Sequence, residues 1–173
     1  MPEKALIVVD MLNDFIEEKG ALYCGISSRA IIPCIRGLLA AYRKNDDLVI
    51  YLQDSHEKND KEFSLFPPHC VSGTWGSEIV RELSPVAGDV IIPKSRFSGF
   101  YGTDLENVLK AAGIEQVEVV GVCTSICVMD TVGGLANRDY KITVPQQGVA
   151  DFDPDFHQFS LKRMKQTYGA NII

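Results

Sequence analysis

The sequence predicts an α/β protein with a mostly parallel sheet. Short apolar runs alternate with stretches of helical periodicity along the whole chain of 173 residues. Several of these runs are continuous rather than alternating, which is typical of strands buried on both faces. No linker or shift in composition divides the chain, so we expect a single domain over residues 1–173.

Six short segments rich in apolar and β-branched residues are predicted strands. They cover residues 5–9, 48–52, 90–92, 117–122, 141–144 and 171–173. In an open parallel sheet, ligands bind beyond the carboxyl ends of the strands. Four chemically useful side chains fall at or just after such ends: Asp10, Asp54, Lys94 and Cys127. This convergence predicts a functional site at one edge of the sheet.

Apolar residues recur at helical spacing between the strands. The predicted helices cover residues 29–44, 77–83, 103–112, 126–138 and 154–168. Thr103 and Glu106 have the spacing of a capping box, and Asp153 before a proline marks the start of the last helix. Two segments rich in charged residues or glycine are predicted loops, residues 11–27 and 53–76.

The bulk composition excludes several classes of protein. Hydrophobic residues make up 46% of the chain and charged residues 23%, as in ordinary globular proteins. A net charge of −6 gives no electrostatic footprint for nucleic acid or an anionic membrane. No apolar run approaches the roughly 20 residues that span a bilayer. Five cysteines, an odd number and widely spread, favour a reduced cytoplasmic protein.

Residues 117–132, which read V-E-V-V-G-V-C-T-S-I-C-V-M-D-T-V, predict a buried strand that runs into a helix. Thr124 and Ser125 are residue types that cap helices, which would place Cys127 in the first helical turn. A helix N-terminus favours thiolate over thiol and leaves N–H groups free to bind an anion. Cys127 is therefore a candidate nucleophile, and the alternative is an inert buried cysteine.

Three motifs together resemble the isochorismatase-like cysteine hydrolases. They are D-M-L-N-D-F at 10–15, K-S-R-F-S-G-F-Y-G-T-D-L at 94–105 and G-V-C-T-S-I-C-V at 121–128. D-S-H at 54–56, followed by F-P-P-H-C-V-S-G-T at 66–74, is similar to the nicotinamidase branch of that superfamily. The resemblance covers nearly the whole chain. It implies three layers, with helices flanking a six-stranded, mainly parallel sheet, and assembly into homodimers or larger homo-oligomers.

The resemblance also implies a catalytic triad of Asp10, Lys94 and Cys127. In this hypothesis Asp10 takes the thiol proton, Cys127 attacks an amide carbon, and water releases the acid from the thioester. We expect Lys94 and the helix N-terminus to lower the pKa of the Cys127 thiol from its usual value of about 8.5. A cis peptide before Cys123 and an oxyanion hole formed by the N–H groups of Cys123 and Cys127 are also implied. Read singly, Asp10 also fits a helix cap and Lys94 a solvated surface.

A second group of residues predicts a metal site. The nicotinamidase match makes Asp54, His56 and His69 metal ligands, with Glu62 at a position where some members carry a fourth ligand. Two imidazoles with one or two carboxylates suit a divalent metal, zinc first, with iron or manganese as alternatives. The family's metal holds the ring nitrogen of nicotinamide. The alternative is that Asp54 and His56 cap a loop and that His69 forms a hydrogen bond in the core.

An aromatic substrate needs apolar walls, and by the family match these are Phe15, Phe66 and Phe97. Ordinary core packing is the alternative for each of them. The first hypothesis for the activity is hydrolysis of nicotinamide to nicotinate and ammonia for NAD salvage. The second is the same triad acting on another small amide, a carbamoyl compound or a vinyl ether, because Ser125 replaces an aspartate found in many members. A binding protein without activity and a redox thiol protein are further alternatives.

Overall fold

The computed structural model describes residues 2–173, so Met1 of the predicted domain lies outside the described residues. The strands are β1 (Lys4–Val9), β2 (Leu48–Asp54), β3 (Val90–Lys94), β4 (Gln116–Val122), β5 (Lys141–Val144), β6 (Val149–Ala150) and β7 (Asn171–Ile172). Six of them lie in the order β3-β2-β1-β4-β5-β7, and each neighbouring pair is parallel. The predicted α/β class and parallel sheet are confirmed.

The two-residue strand β6 was not predicted from the sequence. It pairs with the carboxyl end of β4, whereas β5 pairs with the amino end of the same strand. The two short strands therefore share one side of β4. A pair of residues is too short to give a period, so the pattern of residues alone does not reveal such a strand.

Helices cover both faces of the sheet. They are α1 (Asn13–Ile16), α2 (Ile26–Ala30), α3 (Ile32–Lys44), α4 (Leu105–Ala111), α5 (Met129–Ala136) and α6 (Pro154–Thr167). Alternate residues of β1 belong to two different core clusters, because successive side chains of a strand point to opposite faces. Residues of α4, α5 and α6 pack in one cluster and those of α3 in the other, which gives three layers.

Several predicted helices have different bounds in the structure. The predicted helix at 29–44 is two helices, because Pro33 lies in the first turn of α3 and cannot donate a hydrogen bond to a preceding turn. The predicted helix at 77–83 is replaced by two short 3₁₀ turns, Trp75–Ser77 and Arg81–Leu83. The predicted loop at 11–27 contains α1 and the start of α2.

The predicted capping box at Thr103 and Glu106 is wrong. Helix α4 begins at Leu105, with Asp104 rather than Thr103 at the N-cap position. Glu106 pairs instead with Lys110 and Arg138, at 2.6 Å and 2.7 Å. The start of α6 is as predicted, because the Asp153 carboxylate accepts hydrogen bonds from the first turn.

Gly121 lets β4 approach β1 more closely than any other residue would allow. Its φ is 119°, and a Cβ atom there would lie 2.0 Å from the carbonyl oxygen of Val9. Gly121→Ala therefore should lower the free energy of unfolding by about 3 kcal/mol or more, as strain and overpacking do.

Denaturation in urea measures this loss, and Gly37→Ala is the matched control. Gly37 lies in α3 with open space around its Cα, so alanine there should stabilise the protein by up to about 1 kcal/mol. Equal stability of Gly121→Ala and the unaltered protein would contradict the close approach.

Candidate active site and metal centre

A cavity of about 50 Å³ lies where β1, β2 and β4 end. It is lined by Asp10, Phe15, Asp54, Glu62, Phe66, His69, Phe97, Val122, Cys123, Ile126 and Cys127. All three predicted substrate-binding phenylalanines are in this wall. His56 and Lys94 lie behind the wall and are almost completely buried. The structure thus brings every predicted site residue to one place, while the role of each residue stays a prediction.

The Lys94 ammonium is the centre of this arrangement. Its Nζ lies 2.8 Å from Asp10 Oδ2 and 3.1 Å from Asp54 Oδ1. It also donates hydrogen bonds to the Arg96 carbonyl oxygen at 3.1 Å and to Cys127 Sγ at 3.5 Å. One buried cation therefore holds two carboxylates and the candidate nucleophile together. Lys94 is not the solvated surface residue that the alternative reading allowed.

Strand register explains how these side chains meet. Asp54 and Lys94 are direct partners in the β2–β3 ladder, each at the last residue of its strand. Asp10 follows β1 with a φ of 51°, a left-handed conformation that few residues other than glycine adopt, aspartate more often than most. Its N–H donates to the Leu52 carbonyl oxygen, and its Oδ1 accepts the Asp54 N–H at 2.9 Å. The strained residue is fixed by its neighbour strand.

Cys127 lies in a wide turn rather than in the first turn of an α-helix. The chain leaves β4 through a cis peptide between Val122 and Cys123, as the resemblance implied, and forms a π-helical turn at Thr124–Val128. The N-cap position is occupied by Cys123, and no side chain caps the turn. The expected capping by Thr124 or Ser125 is therefore wrong. The Ser125 N–H donates instead to Asp151 Oδ2 at 2.7 Å.

Burial sets the proton affinities of the candidate triad. It raises the pKa of the Cys127 thiol well above its usual range, and the attraction of Lys94 only partly opposes this. The expected lowering of that pKa is therefore wrong for the protein without substrate. Burial, together with the nearby Asp54 charge, raises the pKa of the Asp10 carboxyl to about 6 against the opposing attraction of Lys94. Asp10 thus has a proton affinity suited to a general base at neutral pH.

The predicted metal ligands form a compact cluster. One ligand atom from each of Asp54, His56 and His69 lies within 4.8 Å of the others. Asp54 Oδ2 is 2.9 Å from His56 Nε2 and 3.4 Å from His69 Nε2. Neighbouring ligand atoms around a single zinc ion with bonds of about 2.0 to 2.2 Å have separations of this size.

Both imidazoles present the correct nitrogen to this cluster. His56 Nδ1 lies 3.1 Å from Asp60 Oδ2, and His69 Nδ1 lies 2.8 Å from the Pro67 carbonyl oxygen. A carboxylate and a carbonyl oxygen only accept hydrogen bonds, so each Nδ1 carries a proton. Both Nε2 atoms face Asp54, so a cation bound between them would take the place of the Nε2 protons and contact neutral rings.

Glu62 lies beside these three residues and offers a further carboxylate oxygen. Its Oε1 lies 3.7 Å from His69 Nε2 and 4.0 Å from His56 Nε2. Its Oε2 is buried and has no hydrogen-bond partner among the described residues. Burial lowers the pKa of His56, but the surrounding carboxylates, Asp54 first, outweigh it and raise that pKa to about 9. An orphaned carboxylate oxygen and a high demand for positive charge both fit a bound metal.

Several residues of the site were missed by reasoning from the sequence. Val122 and Ile126 line the cavity. Asp60 contacts His56, one of the candidate metal ligands, and Arg96 contacts Asp60. Asp60 lies four residues after His56, and this spacing could have indicated their contact. Charged residues are so common in loops that the spacing alone does not single out Asp60. His157 lies 2.9 Å from Thr124 Oγ1 in the turn that carries Cys127.

The fold is that of the isochorismatase-like hydrolases. Residues 4–173 match the model of the isochorismatase domain. The chain therefore belongs to the isochorismatase family and is a hydrolase of that family. Among the described residues, no helix has the length and apolarity needed to cross a bilayer.

Three solved structures show how similar the chain is to named enzymes. The nicotinamidase/pyrazinamidase PncA from Bacillus subtilis is 38% identical, with a TM-score of 0.94 and 98% of each chain covered. The pyrazinamidase of Pyrococcus horikoshii, in complex with zinc, is 31% identical, with a TM-score of 0.93 and 99% of each chain covered. N-carbamoylsarcosine amidase from Thermoplasma acidophilum is 34% identical, with a TM-score of 0.90 over 98% of this chain and 95% of that one.

Removing the buried cation should destabilise the protein strongly. Lys94→Met leaves the Asp10 and Asp54 carboxylates buried without their shared partner, so we expect a loss of about 3 to 5 kcal/mol in the free energy of unfolding. Urea denaturation in buffer with a metal chelator measures the loss.

Lys110→Met is the matched control. Lys110 pairs with Glu106 at 2.6 Å, but its side chain is 67% exposed, so its loss should change stability by no more than about 1 kcal/mol. Similar losses for the two variants would show that Lys94 is not the central electrostatic contact.

Proposed function

We propose that the protein is a nicotinamidase, which hydrolyses nicotinamide to nicotinate and ammonia through a thioester on Cys127. The observation that carries the proposal is the shared contact of Lys94 with Asp10, Cys127 and Asp54. This contact brings the proposed nucleophile, its base and one of the proposed metal ligands to one cavity. The phenylalanine walls of that cavity suit a flat aromatic ring. The similarity to enzymes named nicotinamidase or pyrazinamidase supports this choice of substrate.

The first half of the reaction forms the thioester and releases ammonia. Asp10 takes the thiol proton as Cys127 Sγ attacks the amide carbon, while Lys94 stabilises the negative charge that develops on the sulfur. The N–H groups of Cys123 and Cys127 are proposed to bind the oxyanion, a contribution of about 3 to 4 kcal/mol per donor in comparable sites. When the intermediate collapses, the C–N bond breaks and Asp10 returns its proton to the departing ammonia.

The second half regenerates the enzyme. Asp10 removes a proton from water, the resulting hydroxide attacks the thioester carbon, and the C–S bond breaks. The acid leaves and Cys127 recovers its proton from Asp10. Asp54, His56, His69 and Glu62 are the residues that would hold a divalent metal, zinc first. When bound, that metal supplies a Lewis-acid contact for the ring nitrogen of the substrate and so orients the amide.

A second candidate keeps the triad and changes the substrate. The similarity to N-carbamoylsarcosine amidase supports a carbamoyl amide, which needs no ring nitrogen to bind a metal. The buried group of Asp54, His56 and His69 favours nicotinamide over this alternative. A metal held by these residues would bind a ring nitrogen, and a carbamoyl compound has none.

The proposal extends to the setting of the enzyme. The five cysteines are free, which supports a reducing compartment such as the cytoplasm. There the product nicotinate would enter NAD salvage. We also propose a homodimer or larger homo-oligomer, as the family resemblance implies, with a small-molecule amide as substrate and no nucleic acid or membrane partner.

An ammonia-release assay tests the proposed activity. We expect turnover of nicotinamide and pyrazinamide, and little or none of N-carbamoyl amino acids. Cys127→Ala should lower kcat by at least about 10³-fold because it removes the nucleophile. Cys34→Ala, a half-buried cysteine on α3, should leave kcat unchanged. Full turnover by Cys127→Ala would contradict the thioester, and preference for the carbamoyl compounds would favour the second candidate.

Elemental analysis tests the metal. Protein purified without chelator should contain about one zinc, iron or manganese ion per chain. His69→Ala removes one of the two imidazoles and should reduce this content to a small fraction. His157→Ala is the control because His157 contacts Thr124 and not the cluster. No metal in the unaltered protein, with no binding of added zinc or manganese, would refute the site.

A further inference from the structure

Asp60 lies outside the cavity wall yet contacts two of the proposed metal ligands. Its Oδ2 accepts the Nδ1–H of His56 at 3.1 Å, and its Oδ1 accepts the backbone N–H of Glu62 at 2.9 Å. The Asp60 side chain is 9% exposed. A single carboxylate thus contacts the ring of one ligand and the backbone of another.

Arg96 holds this carboxylate in place. Its Nη1 lies 3.0 Å from Asp60 Oδ1 and 3.1 Å from Asp60 Oδ2, so the guanidinium contacts both oxygens. The backbone carbonyl oxygen of the same residue accepts a hydrogen bond from Lys94 Nζ. Arg96 therefore links Asp60, which contacts the proposed metal ligands, to Lys94 of the candidate triad.

We propose that Asp60, held by Arg96, is a positioning residue that fixes His56 in its metal-binding tautomer and orientation. The inference rests on the metal site of the proposed function. A carboxylate that accepts Nδ1–H keeps the Nε2 lone pair directed at the metal and raises the basicity of that nitrogen. His69 has the weaker version of the same device, because its Nδ1–H donates to the neutral Pro67 carbonyl oxygen.

A purely structural explanation of Asp60 makes a different prediction. Asp60 is the N-cap of the 3₁₀ helix Lys61–Ser64, so it has a local role even without metal. Asp60→Ser separates the two roles. A serine hydroxyl caps the Glu62 N–H as an aspartate does, but it is one bond shorter and has one oxygen, so it does not also reach His56.

The test is the dissociation constant for zinc, measured by competition with a chromophoric chelator on the full chain. We expect Asp60→Ser to raise this Kd by about 10- to 100-fold, the usual cost of losing such an outer-shell partner. Asp60→Asn keeps an acceptor oxygen without the charge, so its zinc Kd should lie between that of Asp60→Ser and that of the unaltered protein.

Asp153→Ser is the matched control. Asp153 also caps a helix through its carboxylate, which accepts from Asp155 and Phe156, but it does not contact the cluster. Its zinc Kd should equal that of the unaltered protein. If Asp60→Ser fails to fold, Arg96→Met carries the test, with an expected rise in Kd of at least about 3-fold.

The outcomes separate this inference from the proposed function. Tight zinc binding by the unaltered protein with an unchanged Kd in Asp60→Ser, or in Arg96→Met where that variant is used, would overturn the positioning role and leave the metal site intact. No zinc binding by the unaltered protein would overturn the metal site and the positioning role together. A raised Kd in Asp60→Ser, with Asp153→Ser unchanged, supports the inference.

Discussion

The buried ammonium of Lys94 is the contact on which the rest of the site depends. A charged amine that is removed from water is stable only when opposite charges and hydrogen-bond acceptors surround it. Here Asp10, Asp54 and the Arg96 carbonyl oxygen provide them. Each of these partners comes from the end of a different strand or from the loop that follows β3. The electrostatic requirement of one side chain therefore fixes the relative positions of three chain segments.

The charges of the site fit a divalent cation. Asp10, Asp54 and Glu62 supply three carboxylates and Lys94 supplies one ammonium, which leaves an excess of about two negative charges when these groups are ionised and both imidazoles are neutral. That excess equals the charge of one divalent cation. Asp54 belongs to both halves, because Oδ1 contacts Lys94 and Oδ2 contacts the two histidines. The candidate triad and the candidate metal ligands therefore share one carboxylate.

Much of the site was predictable because strand ends are easy to recognise in a parallel sheet. The ends of β1, β2 and β3 placed Asp10, Asp54 and Lys94 at one edge, and the structure agrees. The histidines were found through their motif. Asp60 and Arg96 were not found, because they are 36 residues apart and only the path of two loops brings them together. The prediction of an α-helical first turn at Cys127 was also wrong. A cis peptide and a π-helical turn leave no periodic pattern in the sequence.

The sequence by itself determined the class of fold, the order of six of the strands along the chain and the candidate side chains at the strand ends. It did so because a period of hydrophobic residues and the residue types at strand ends are local properties. Tertiary structure decided the proton affinities. Thiol burial raises the pKa of Cys127 instead of lowering it, and burial raises that of Asp10 to about 6. Such values depend on water exclusion and on distances between charges remote in sequence, and no local pattern encodes either quantity.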